Sequence, residues 1–171
     1  MDIEHILEMI EPKTETEKIV YLVDLLKNST GDEHRVVWKI LDEIVQSKYE
    51  RLMQRGLILG IGTLQRLTKI RPILDQRDLQ KSYKKLIDDR SLGFAEKVRI
   101  LYNVTGIKPE LDDEFVHSVY RWLIERERVN DIEILWSITG LQPSEDLIVA
   151  LKDLQKERER KLQELKLKED S

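Results

Sequence analysis

The residues of this chain that could do chemistry are spaced for binding rather than for reaction. His5, His34 and His117 are dispersed, without the close spacing that gathers imidazoles around a metal ion. Asp113 and His117 stand one helical turn apart, which reads first as an exposed helix pair and second as a weak two-ligand metal site. In GLILGIGTLQ, Gly60 and Gly62 match the first two glycines of a dinucleotide fingerprint, but Gln65 stands where the third belongs and no strand pattern precedes it. Gly56 and Gly60, one turn apart, instead suit the close approach of another helix. No Gly-x-Ser-x-Gly elbow occurs, and acids are spread so evenly that no pair stands out as general acid and base. Catalytic residues, cofactor sites, metal sites and a small-molecule substrate are therefore not expected.

Charge is what the sequence distributes unevenly. The net formal charge is −4, yet residues 1–50 hold twelve acids against six bases, residues 51–100 five against twelve, and residues 101–171 sixteen against eleven. Within the basic middle, Arg77, Lys81, Lys84 and Lys85 recur at spacings that place them on one face of a helix predicted over 75–90. Arg66, Lys69 and Arg71 precede them. These seven residues are the candidate binding site. Such a stripe suits an acidic protein surface; the phosphates of a nucleic acid are the alternative partner, and neutralisation of the acidic flanks or simple solvation explains it without one.

The elements that must position this stripe are helical. With 40% apolar and 36% charged residues, seven glycines and four prolines in 171 residues, the composition is rich in helix formers and poor in turn formers. The absence of cysteine removes disulfides and thiolate metal sites. The opening MDIEHILEMIEP is acidic rather than signal-like, and the longest nearly apolar run, residues 56–64, is far shorter than the ~20 residues a membrane span needs. A cytoplasmic, all-α protein of eight or nine helices is expected, without membrane contact. It should form a single domain over 1–150, followed by a charged helical extension over 151–171 with a frayed end.

Ile19, Leu22, Val23 and Leu26 follow the i, i+3, i+4, i+7 pattern behind a Thr14–Glu17 capping box. Asp32 or Glu33 should open the next helix, and three glycines between 56 and 62 predict a break near Arg55 and Gly56 in what could otherwise be one helix over 32–70. Further helices are predicted over about 75–90, 92–105, 110–128, 131–139 and 144–168. In the last, Leu151, Leu154, Leu162 and Leu165 form a short seam that Arg158 and Lys161 interrupt, which favours capping the preceding helices over coiled-coil pairing. Trp38, Trp122 and Trp136, with Tyr83, Tyr102 and Tyr120, lie at or beside core stripes, which predicts packing for most and an exposed anchor role for one or two.

One phrase is written twice: ILYNVTGIKP over 100–109 and ILWSITGLQP over 134–143. Thr105–Gly106 and Thr139–Gly140 read as a last helical residue followed by a left-handed cap, and Pro109 and Pro143 suit the first turn of a new helix. Asp112, Asp113 and Glu114, like Glu145 and Asp146, place acids where a helix start favours them. Thr68, Ile70 and Pro72 match the same phrase with Lys69 in place of glycine, and Leu7, Ile10 and Pro12 echo it at the N-terminus. A period of 34 to 37 residues is one helical hairpin, and hairpins of this length stack because none buries its apolar face alone.

Repeat length and helix pairing resemble the tetratricopeptide, pentatricopeptide and HEAT arrays. The joint of glycine, aliphatic, any residue and proline, here Gly106–Pro109 and Gly140–Pro143, is most similar to the pentatricopeptide joint. That likeness implies an α-solenoid, a HEAT-like scaffold for protein–protein interaction, and in the pentatricopeptide case binding of single-stranded RNA through the start of each first helix. Asp112, Asp113, Glu114, Glu145 and Asp146 occupy those places and would repel a phosphate backbone, and the tetratricopeptide pattern of Trp, Leu-Gly, Tyr and Ala is missing. A non-catalytic adaptor for an acidic protein is the expectation.

Overall fold

The computed structural model describes residues 3–169, which form α-helices joined by short turns and extended links, with no strand among the described residues. In chain order these are α1 (Ile3–Ile10), α2 (Glu15–Asn28), α3 (Gly31–Gln54), α4 (Ile58–Thr68), α5 (Gln76–Asp89), α6 (Phe94–Thr105), α7 (Asp113–Ile124), α8 (Val129–Thr139) and α9 (Glu145–Glu169). None of them is long and apolar enough to cross a membrane. Two compact units divide the chain. The first runs to Gln76 and includes Asn103–Thr105; the second comprises Arg77–Tyr102 and the chain from Gly106 onward.

In the first unit α2 packs on α3 and α3 on α4. Thr14 caps α2 as the sequence predicts: its hydroxyl accepts from the Glu17 amide while the Glu17 carboxylate accepts from the Thr14 amide at 2.7 Å. That carboxylate also accepts from the Thr14 hydroxyl, which holds its pKa below the usual range. Ile19 and Leu22 of the stripe read on α2 are buried and its Val23 and Leu26 half-buried, while α3 buries Val37, Leu41 and Val45 at one-turn spacing. Glu15 ties the start of α2 to α3 through Lys48 at 3.2 Å and through Arg51. α3 starts at Gly31, one residue before Asp32, with Thr30 at its N-cap position and Asp32 and Glu33 in its first turn as the sequence suggests.

The predicted break between α3 and α4 falls at Arg55–Leu57, where Gly56 takes φ +67°. Gly56 and Gly60 serve different ends there. Around Gly56 there is open space, so its role is conformational, whereas a Cβ on Gly60 would stand 3.0 Å from the Leu52 side chain of α3. Close helix packing, expected of both glycines, belongs to Gly60 alone.

In the second unit α7 packs on α8 and α9. The helix predicted over 110–128 is shorter at both ends. Asp112 caps it by accepting from the Phe115 amide at 2.7 Å, and it stops at Ile124 in a turn that repeats the one after α3. In the earlier turn the Leu57 amide donates to Leu52 at 2.9 Å; here the Arg128 amide donates to Leu123 at 2.9 Å, with Glu127 at φ +54° where the other turn has Gly56. Sequence periodicity ran through this turn because Glu127 carries no glycine signal.

Arg128 anchors the turn side of this unit. Its guanidinium pairs with Asp131 at 2.5 Å, donates to the carbonyls of Arg90 and Ser91 at 3.3 and 3.5 Å, and lies 5.2 and 5.4 Å from the Phe94 and Trp122 ring centroids. Trp122 is thus half-buried beneath arginines, while Trp38 and Trp136 are the exposed tryptophans, at 43% and 37%. The first part of α9 buries Leu147 and Leu151 and packs on α7 and α8; from Lys156 to Lys166 the helix is exposed throughout. It continues to Glu169, and the last two residues of the expected frayed end lie outside the described residues.

Candidate partner interface

The backbone that carries Lys69 and Arg71 is held by a set of hydrogen bonds reaching from α3. At the end of α4, the Thr68 hydroxyl donates to the Leu64 carbonyl at 2.9 Å and accepts from the Ile70 amide at 3.2 Å. The Lys69 amide donates to the Gln65 carbonyl at 2.8 Å while its own φ is +61°, the left-handed cap conformation that costs a side chain about 1–2 kcal/mol. From α3, the Tyr49 hydroxyl donates to the Ile70 carbonyl at 2.7 Å. Gln46 grips the next residues with both ends of its amide, donating to the Arg71 carbonyl at 2.9 Å and accepting from the Ile73 amide at 2.8 Å. Burial pushes the Tyr49 phenol up to about 12, against a partly offsetting bond with Thr68. Lys69 and Arg71 therefore extend into solvent from a fixed backbone, and Arg66, exposed on α4, approaches Thr63 at 3.5 Å.

The same device recurs twice in the second unit. Tyr83 on α5 donates to the Ile107 carbonyl at 2.8 Å, and Gln80 donates to Lys108 at 2.9 Å and accepts from Glu110 at 2.7 Å. Tyr120 on α7 donates to the Leu141 carbonyl at 2.9 Å; its phenol is also pushed up by burial. In this last joint His117 replaces the glutamine, its Nε2 donating to the Gln142 carbonyl at 2.9 Å. His117 is thus bound to backbone rather than standing in an exposed pair with Asp113. Gly106 and Gly140 take φ +73° and +74° as left-handed caps. Pro109 and Pro143, expected in first turns, precede the starts of α7 and α9 and lie in the extended link that these side chains grip.

Tyr83 and Tyr120 were visible in the sequence at or beside stripe positions; the glutamines were not. Their signal is a residue three before each tyrosine, Gln46, Gln80 and His117, able to donate to a carbonyl. Only the fold shows what they hold.

On α5 the sequence spacing is realised in full. Leu79, Tyr83 and Ile87 are buried on one face, and Arg77, Lys81, Lys84 and Lys85 are exposed on the other. Lys81 pairs with Asp78 at 3.1 Å with both side chains largely in water, so the pair leaves the cation available. Lys84 and Lys85 have no ion pair among the described residues. Asp88 falls within the same face, one turn beyond Lys84 and Lys85, and tempers it. The seven candidates divide by unit, Arg66, Lys69 and Arg71 in the first and the four on α5 in the second.

No group of three or more His, Asp or Glu side chains able to hold a metal ion occurs among the described residues. An open depression lined by Pro12, Lys13, Thr16, Glu17, Val20, Tyr21 and Asp24 is shallow and brings no convergent polar set to a point. No family model matches the chain, and neither the curated proteins nor the solved structures include a match.

Proposed function

We propose that the chain is a non-catalytic helical-repeat adaptor that binds an acidic protein partner through the basic face of α5. The observation that carries this is the exposure of Arg77, Lys81, Lys84 and Lys85 on one face while the opposite face is buried. Two features support it. The recurring Tyr-to-carbonyl joints give helical hairpins a rigid connection, as a short α-solenoid of the HEAT type requires. Lys69 occupies a left-handed cap that two other joints give to glycine, keeping a cation at the surface against a conformational cost. Asp88 within the α5 face favours a protein, whose charges are of both signs, over a uniformly anionic phosphate backbone.

The test replaces Arg77, Lys81, Lys84 and Lys85 with Glu and compares affinity capture by wild type and variant, with circular dichroism establishing that the variant folds. Partners held by wild type and lost by the variant support the reading; identical recovery refutes it. Titration with labelled single- and double-stranded oligonucleotides separates the nucleic-acid alternative. Binding tighter than ~100 μM that falls steeply with salt would favour that alternative.

A further inference from the structure

We propose that the chain also associates with a second copy of itself, the exposed half of α9 in one copy lying along α1 of another. Two helical faces are apolar and uncovered, and they carry opposite charge.

On α1, Ile6 and Ile10 are buried, while Ile3 and Leu7, the adjoining positions round the same helix, are 46% and 47% exposed. Glu4 and Glu8 stand beside Leu7 at one-turn spacing, and Glu11 follows on the same side. On α9, the face that buries Leu147 and Leu151 continues along the exposed half as Arg158, Lys161, Leu162, Leu165 and Lys166. At 3.6 residues per turn these five lie within a sector of roughly 140° with no acid between them. Leu162 and Leu165 are 58% and 59% exposed. Lys161 is engaged by Glu157 at 2.9 Å, whereas Arg158, Lys166, Glu4, Glu8 and Glu11 have no ion pair among the described residues.

Charge selects the occupant. Pairing two α9 faces would set cations against cations, and pairing two α1 faces would set acids against acids; only α9 on α1 joins leucines to isoleucine and leucine inside a complementary rim. A helix also gains little stability by itself, so an exposed half exposing leucines is best stabilised by packing. Because the two patches differ, the contact is made either twice about a two-fold axis, each copy's α9 on the other's α1, or head to tail in a ring or chain. With few apolar side chains on each face it belongs to the weak, small class of interfaces.

Sedimentation velocity tests this on the full chain. Wild type should gain weight-average mass between ~10 μM and ~1 mM, the range of a weak interface. Leu162→Glu with Leu165→Glu should remain monomeric, and since both positions are exposed the helix content should not change. Glu8→Lys with Glu11→Lys places cations at the end of α1 where the helix dipole accepts them, so this variant should fold and fail to associate. Arg158→Glu, Lys161→Glu and Lys166→Glu together should also fail alone, yet an equimolar mixture of the two charge variants should associate at least as well as wild type. Wild type that stays monomeric at ~1 mM overturns the proposal. So does a Glu8 and Glu11 variant that associates like wild type, which would indicate α9–α9 pairing, or a mixture that does not recover. Sedimentation of monomeric wild type with phosphatidylserine vesicles, without any self-association, would assign the α9 face to a lipid surface instead.

Discussion

The joint after α4 and the joint after α8 reach nearly the same geometry with different residues. Both have a threonine whose hydroxyl donates back into the helix and accepts from the amide two residues on, Thr68 to Leu64 and Thr139 to Leu135. Both have a tyrosine donating to the carbonyl that follows the cap. They differ in the cap itself, Lys69 against Gly140, and in the grip on the link, Gln46 with two hydrogen bonds against His117 with one. The first joint accepts backbone strain and is gripped twice; the second is unstrained and gripped once. The shared threonine and tyrosine bonds set the geometry, and cap and grip vary around them.

The largest effect should come from the shared bonds. Tyr49→Phe and Tyr120→Phe each leave a carbonyl without its hydroxyl donor and should destabilise by about 1–3 kcal/mol in urea denaturation, to a similar extent in the two units. A strongly unequal pair would show that the joints are not equivalent. Tyr49 adds a pH test. Its folded pKa of about 12 lies above the unfolded value near 10, so its stabilisation is whole below the unfolded pKa and declines as pH rises toward 12. Tyr49→Phe should lose that alkaline decline, as followed by denaturation at stepped pH.

The caps should respond in opposite directions. Gly140→Ala meets open space but a φ of +74°, and should cost about 1–2 kcal/mol; Lys69→Gly should gain roughly 0.5–1 kcal/mol, since relief of strain is partly offset by the greater freedom of an unfolded glycine. If Lys69 also contacts a partner, the glycine variant will be more stable and bind more weakly, a combination that strain relief alone does not produce. The grips should matter least. Gln46→Ala removes both hydrogen bonds to the link together with one to the Asp42 carboxylate, and His117→Ala removes one, so thermal unfolding should show a loss of about 1–2 kcal/mol for the first and about half that for the second.

Much of this was legible beforehand, for identifiable reasons. Periodicity gave α2 its buried Ile19 and Leu22 and α5 its basic face because side chains one turn apart share a face at 3.6 residues per turn. The Thr14–Glu17 box and the Gly106 and Gly140 caps were readable because each is completed within a few residues. The end of α7 was not, since Glu127 adopts a conformation its side chain does not advertise. Nor was the role of His117, whose partner lies 25 residues away.

The sequence by itself determined the helical class, most helix ends, and the face of α5 on which Arg77, Lys81, Lys84 and Lys85 stand, all of which depend on neighbours within about two turns. Tertiary structure alone decided that Gln46, Gln80 and His117 hold the links between helices, that Gly60 rather than Gly56 admits a close neighbour, and that Leu162 and Leu165 remain in water while Leu147 and Leu151 on the same helix do not. The physical reason is the same in each case. Backbone periodicity places a side chain on a face, but whether that face meets a carbonyl, another helix or solvent depends on residues far away in the chain.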